Sequence, residues 1–156
     1  MMRSSFSLAT LLVITSLIPT ISAACCKDGW FAYNGHCYYI DMDIHLSFSA
    51  ARLYCRRLGA DLVQIETFAE NTFLKGFLKK IKAQYTWMGL NDISHEGIWR
   101  WAGTNRHATF SDWLPNQPDN YKNDEDCVHF GYNGAYEWND CPCHTSINFI
   151  CEKDSA

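Results

Sequence analysis

The chain has no Asn-x-Ser/Thr triplet, so N-linked glycosylation has no acceptor. It has no Gly-x-Ser-x-Gly elbow, and His95-Glu96 is not followed by the second histidine of a zinc-protease helix. The six histidines (His36, His45, His95, His107, His129 and His144) are scattered. These gaps exclude the common hydrolase signatures. Positive charge is also short: 13 Lys and Arg stand against 17 Asp and Glu, a formal net charge of −4. With no basic stripe, nucleic acid is excluded as a partner. No Pro/Gly/Ser-rich linker, repeat or low-complexity tract divides the chain. Beyond the first two dozen residues no apolar run approaches the roughly 20 residues that a membrane span needs.

The beginning of the chain differs. Arg3 supplies a positive start, Phe6 to Ile18 is apolar, and Ile21-Ser22-Ala23-Ala24 provides small residues for cleavage. Ser16, Pro19 and Thr20 keep the apolar stretch too short to span. This order predicts a secretory signal peptide over residues 1–23, with 24–156 as one mature domain and extracellular localisation. All eight cysteines follow the leader, which in a secreted domain implies a disulfide framework with 105 full pairings open. A zinc site from Cys127, Cys141, Cys143 and His144 is the competing use; its spacing matches no familiar ligand pattern.

Local patterns give an outline. Asn34-Gly35 turns a hairpin between Trp30-Phe31 and Tyr38-Tyr39-Ile40. Ser47 can cap a helix with Phe48, Ala51, Cys55 and Leu58 on one face and Gly59 at its end. Thr67-Phe68-Ala69-Glu70 is a capping box opening a second helix, with Leu74, Phe77, Leu78 and Ile81 inward. Lys75, Lys79, Lys80 and Lys82 then form a solvated basic face. Leu62–Ile65, Tyr85–Leu90, Ile98–Trp101, Cys127–Tyr132, Ala135–Asp140 and Ile147–Glu152 read as strands, with Asn133-Gly134 as a second hairpin turn. Trp87, Trp99, Trp101, Trp113 and Trp138 are assigned to core packing. Strands, two helices, then strands make an α+β arrangement.

Residues 103–126 lose all periodicity, and a loop this long in a small domain is usually functional. In and after it come three oxygen-rich clusters: Gln117-Pro118-Asp119, Glu125-Asp126-Cys127 and Trp138-Asn139-Asp140. Amide and carboxylate oxygens suit Ca²⁺, which takes six to eight such ligands in irregular geometry. The competing reading is a merely solvated acidic loop.

Taken in order, Cys26-Lys27-Asp28-Gly29-Trp30, Cys37-Tyr38, Ala51 to Cys55, Trp87-Met88-Gly89-Leu90, the Gln-Pro-Asp cluster, Trp138-Asn139-Asp140 and Phe149-Ile150-Cys151 resemble a C-type lectin domain over essentially all the mature chain. The Glu96-Gly97-Ile98-Trp99 stretch and the single-domain form most resemble the perlucin-like invertebrate lectins. The resemblance implies an α+β C-type lectin fold, two helices packed on mixed and antiparallel sheets with a long Ca²⁺-binding loop. It implies bridges Cys26–Cys37, Cys55–Cys151 and Cys127–Cys143. Cys25 and Cys141 are left over, as free thiols or as the link of a disulfide-bonded homo-oligomer.

The resemblance also implies a ligand set: Gln117, Asp119, Glu125, Asn139 and Asp140 around one Ca²⁺, with Pro118 cis. Two vicinal sugar hydroxyls would complete the coordination and hydrogen-bond to Gln117, Asp119, Glu125 and Asn139. An amide at 117 and a carboxylate at 119 follow the galactose-type order, the reverse of the mannose-type Glu-then-Asn. Tyr121 stands where an aromatic platform for the sugar is found, although Lys122-Asn123-Asp124 replaces the glycine-rich segment that braces it in some galactose binders. Asp92, Glu96, Asn120 and Asp126 fall on auxiliary cation positions. The function implied is a secreted, Ca²⁺-dependent lectin for galactose-type glycans on cell or microbial surfaces, in innate immune pattern recognition. A mineral-associated matrix protein is the alternative within the fold. Paired acids near 119–126 could mimic a glycosidase, but a bound cation would neutralise both, so no enzymatic activity is expected.

Overall fold

The computed structural model describes residues 26–131 and 134–156. The leader, Cys25 and Asn133 lie outside the described residues. Among those described, the elements in chain order are β1 (Phe31–Tyr33), β2 (His36–Ile40), α1 (Phe48–Arg57), β3 (Asp61–Leu62), α2 (Phe68–Ile81), β4 (Thr86–Asn91), β5 (Arg100–Trp101), a 3₁₀ turn (Tyr121–Asn123), β6 (Cys127–Phe130), β7 (Trp138–Cys141) and β8 (Asn148–Asp154). The strands run in the order β1-β2-β8-β4-β6-β7, with β3 on β8 and β5 on β4. Every pairing is antiparallel except β4 with β8.

The β1–β2 turn has Asn34 and Gly35 at φ 46° and 87°, the two successive positive values of a type I′ turn. The last strand, β8, lies at the centre because Ile150, Cys151 and Phe149 are wholly buried and pack against both halves of the core. Three disulfides tie the domain together. Cys26–Cys37 closes the first hairpin, Cys55–Cys151 joins α1 to β8 across 96 positions, and Cys127–Cys143 staples β6 to the segment after β7. Gly89 in β4 has a steric reason: a Cβ there would lie 2.9 Å from the Leu62 carbonyl oxygen. Trp87, Trp101 and Trp138 are fully enclosed, each removing more apolar surface from water than any aliphatic residue could.

Several local expectations need correction. Ser47 occupies the N-cap position of α1 but makes no side-chain cap bond. Leu58, expected on the inward face, is exposed, because α1 ends before it and it falls on the C-cap. The capping box of α2 is half formed. Thr67 Oγ1 accepts from the Glu70 amide, but Glu70 Oε2 accepts from Glu66 N while Oε1 takes the Tyr38 hydroxyl. The buried phenol draws the carboxylate past its usual partner. Lys75 is no free surface charge; it is half-buried and ion-paired with Asp112. The strands at 61–62, 100–101 and 138–141 are shorter than their hydrophobic runs, and Val63 and Ile65 continue into the core outside any strand.

Glu152 of β8 has a side chain only 12% exposed, accepts from Gln64 N at 2.8 Å and lies 2.9 Å from His36 Nδ1. Burial, reinforced by nearby Glu70, Asp154 and Glu66, pushes its carboxyl up to about 8. The folded protein therefore holds a proton that the unfolded chain releases near pH 4.5. That contribution is complete below the unfolded value and is lost as pH rises through the folded one. Glu152→Gln should thus gain stability relative to the parent between about pH 5 and 8, measured by urea midpoints. Parallel profiles for the two proteins would show that Glu152 does not carry the dependence.

Candidate metal centre

The site begins where residues 112–114 run alongside β7. Trp138 N donates to Asp112 O at 2.8 Å, Leu114 N donates to Trp138 O at 2.9 Å, and Gln117 N then donates to Leu114 O at 3.0 Å. The Gln117–Pro118 peptide is cis. The loop continues through Asn116, Asn120, Lys122 and Asn123, all at positive φ. Such residues concentrate at binding loops, and asparagine tolerates the region better than most.

Asp140, inside β7 and with 0% exposure, anchors the loop. Its Oδ1 accepts from Asp119 N at 3.3 Å and its Oδ2 from Asn120 N at 2.8 Å. Glu125 Oε2 accepts from Tyr121 N at 2.9 Å, and Asn120 Oδ1 accepts from Glu125 N at 3.1 Å. Oxygens of Asp119, Glu125 and Asp140 all lie within 4.8 Å of one another. Two carboxylates that close repel by roughly 3 kcal/mol at an effective dielectric of about 20, less where water reaches exposed Asp119. Burial raises the Glu125 carboxyl above the ordinary range, and the charges of Asp140 and Asp119 add to the rise.

Asn139, beside Asp140, directs its amide nitrogen inward, donating to Asp140 O and, at 3.4 Å, to His129 Nε2. His129 Nδ1 faces the Phe130 carbonyl at 2.9 Å and must donate to it, which leaves Nε2 as the acceptor. Desolvation lowers the His129 pKa and keeps the ring neutral. Both amide hydrogens of Asn139 are therefore used, and its Oδ1 remains for another partner. Gln117 Oε1 is likewise buried without a hydrogen-bond partner.

A crowded trio of carboxylates and an orphaned buried amide oxygen are costly unless a hard cation draws them together. The donor set fits Ca²⁺. Beside it Tyr121 is 61% exposed, with the Lys122 ammonium 5.1 Å from its ring centre.

A second group forms from Asp92, Glu96 and Asp126, again with oxygens within 4.8 Å. Asp92 is 2% exposed. One of its oxygens accepts from Gly97 N at 2.7 Å, while Oδ1 is buried and unpaired. Burial pushes Asp92 up to about 6 against the pull of that amide. Asn120 spans the two groups, its Nδ2 on Glu96 Oε2 and its Oδ1 on Glu125 N. Of the nine positions named from the sequence, six carboxylates fall in these two groups and Asn120 is hydrogen-bonded to both; Gln117 and Asn139 neighbour Asp119 and Asp140 in the chain. Sequence reasoning missed His129, which the β6–β7 register sets opposite Asn139. It also missed Asn71 and Asp112, for which no short-range signal exists.

Cys141 sits opposite Cys127 in the β6–β7 ladder, buried and unbridged. Desolvation pushes its thiol up to about 12. Of the two leftover cysteines, Cys141 is a free thiol buried in the sheet, a placement that argues against its being the link between two chains; Cys25 lies outside the described residues. The zinc alternative also fails, because Cys127 and Cys143 are oxidised to each other.

Two helices on a disulfide-stapled sheet, with an oxygen-rich loop folded over one strand, define the C-type lectin class of domain. Residues 44–153 match the Lectin C-type domain family, and the chain belongs to it. It is 37% identical over 129 residues to a perlucin-like protein of Mytilus galloprovincialis, covering 81% of each chain. It is 33% identical over 155 residues to a C-type lectin mannose-binding isoform of Notechis scutatus scutatus, covering 94% of this chain and 96% of that one. Among solved structures, the human scavenger receptor C-type lectin carbohydrate-recognition domain superposes with a TM-score of 0.76 at 32% identity, covering 83% of this chain and 99% of the other.

The thiol of Cys141, buried and protonated at neutral pH, should resist iodoacetamide in the native oxidised protein and react only after denaturation. Mass spectrometry reads the adduct. Rapid labelling of Cys141 in folded protein would contradict its placement.

Proposed function

We propose that the protein is a secreted, Ca²⁺-dependent lectin that binds galactose-type glycans. Gln117, Asp119, Glu125, Asn139 and Asp140 would hold the ion. When bound, Ca²⁺ supplies open coordination positions for two vicinal sugar hydroxyls. The chain's residues decide which hydroxyls fit. The observation that carries the reading is Gln117, whose buried Oε1 has no protein partner and whose amide nitrogen remains a donor. Asp119 across the proline offers only acceptors. Donor first and acceptor second suits an equatorial 3-hydroxyl beside an axial 4-hydroxyl, as in galactose. The mannose-binding name of one relative concerns that relative; the order at 117 and 119 argues the other way here.

Tyr121 supports the same choice. An exposed ring at the rim can lie against the apolar face of a hexose, worth on the order of 1 kcal/mol. The auxiliary set Asp92, Glu96, Asn120 and Asp126 would take a second Ca²⁺, with Asn120 coupling the two sites. Three disulfides favour an oxidising compartment, and no helix among the described residues is long and apolar enough to cross a membrane. With the leader read from the sequence, these support secretion. One site that takes two hydroxyls would bind weakly, so recognition of cell or microbial surfaces in innate immunity would rely on several copies acting together. We read the cluster as serving binding and not catalysis: Asp140 and Glu125 already accept loop amides, and a bound cation would neutralise the acids.

The parent protein should be retained on galactose resin in Ca²⁺ and released by chelator. Gln117→Glu with Asp119→Asn should transfer retention to mannose resin while Ca²⁺ affinity persists. Passage of the parent through the galactose column with Ca²⁺ present would refute the lectin reading. An unchanged sugar ranking in the double variant would assign selectivity to Tyr121 instead of the 117/119 order.

A further inference from the structure

Four of the five proposed cation ligands reach the site on two arms with a common root, and Glu125 comes from the segment before β6. One arm climbs from Asp112–Leu114 to Gln117 and Asp119; the other is β7, where Trp138 directly precedes Asn139 and Asp140. A single side chain from α2 touches both arms at that root. Asn71, 1% exposed, accepts from Trp138 Nε1 at 3.0 Å and donates through Nδ2 to Asp112 Oδ2 at 2.7 Å. Lys75, one helical turn further on, donates to the same Asp112 oxygen. Neither α2 residue is a cation ligand.

We propose that Asn71, with Lys75 behind Asp112, is a positioning residue that sets the spacing of the two ligand arms and through it the affinity for the cation. The inference rests on the Ca²⁺ reading above. Its physical basis is the primary amide, which offers a donor and an acceptor in one rigid plane. Asn71 can therefore satisfy an indole N–H and a carboxylate at once and fix the distance between them. Asp112 is not a ligand, yet a charged carboxylate is held half-buried at the base of the loop by two donors from one helix. Packing alone does not require that arrangement. At their outer ends the arms meet where Asp140 accepts the amides of residues 119 and 120, so a shift at the root is carried into the ligand cluster. Residues that orient metal ligands in this indirect way typically matter by about 10- to 100-fold in metal affinity.

The test is calorimetric Ca²⁺ titration of the oxidised protein at a temperature where each variant is fully folded by near-ultraviolet circular dichroism. Asn71→Asp sets two carboxylates face to face and should weaken Ca²⁺ binding by about 10-fold. Adding Asp112→Asn restores the hydrogen bond between positions 71 and 112 with its direction reversed, while Trp138 Nε1 donates to position 71 throughout, and affinity should return to within roughly 3-fold of the parent. A purely structural role would lower the unfolding midpoint without this loss and rescue of affinity. If Asn71→Asp does not fold, Lys75→Met, at the half-exposed ion pair, decides in its place and should weaken binding by roughly 3-fold. A parent that binds Ca²⁺ while a folded Asn71→Asp stays within about 2-fold of it, a double variant that does not recover, or an unaffected Lys75→Met standing in its place overturns this inference alone. A parent that takes up no Ca²⁺ overturns the cation reading and this inference with it.

Discussion

The candidate site depends on the burial of one carboxylate, Asp140. It is completely enclosed in a strand whose register with β6 is fixed, and its carboxyl lies close to two other acids. The loop amides of Asp119 and Asn120 satisfy both its oxygens, so loop and strand position each other. That arrangement organises the loop but leaves a concentration of negative charge that loop amides only partly offset. A divalent ion among these oxygens would turn the mutual repulsion into shared attraction, and the unpaired oxygen of Gln117 would gain a partner.

The rest of the fold supplies the rigidity that this balance needs. β8 is buried on both sides and pairs with β2, β3 and β4, while Cys55–Cys151 fixes α1 to it. β4 carries the ladder across to β6 and β7, and Cys127–Cys143 secures the strand pair that ends at the site. The irregular loop thus rests on a disulfide-secured strand pair at one edge of the sheet. A loop of Asn, Lys and Pro at positive or cis backbone angles could not hold ligand oxygens in place without such a base.

How much of this was legible in the sequence varied with the range of the interaction. The Asn34-Gly35 turn and the span of α2 depend on neighbouring residues, and both could be read directly. Leu58 was misjudged because it falls on the C-cap of α1 and not within it, and Ser47 holds the N-cap position but makes no side-chain cap bond. Lys75 looked like a surface charge because its partner, Asp112, is 37 positions away. His129 and Asn71 stayed hidden for the same reason. The acidic positions 119, 125 and 140 are individually indistinguishable from a solvated face. They were singled out by motif resemblance, and the structure places their oxygens in one cluster. Cys141 could be counted as a leftover thiol, but its burial follows from strand pairing that no local pattern encodes.

The central claim is that this oxygen cluster holds Ca²⁺ and that the sugar binds by completing the ion's coordination. Calorimetric titration of Ca²⁺ into metal-free, oxidised protein, with and without saturating galactose, addresses it most directly. The account predicts saturable Ca²⁺ binding that galactose tightens, since two ligands that share a site raise each other's affinity by the same factor. A flat Ca²⁺ trace, or galactose binding that persists undiminished in chelator, would contradict it.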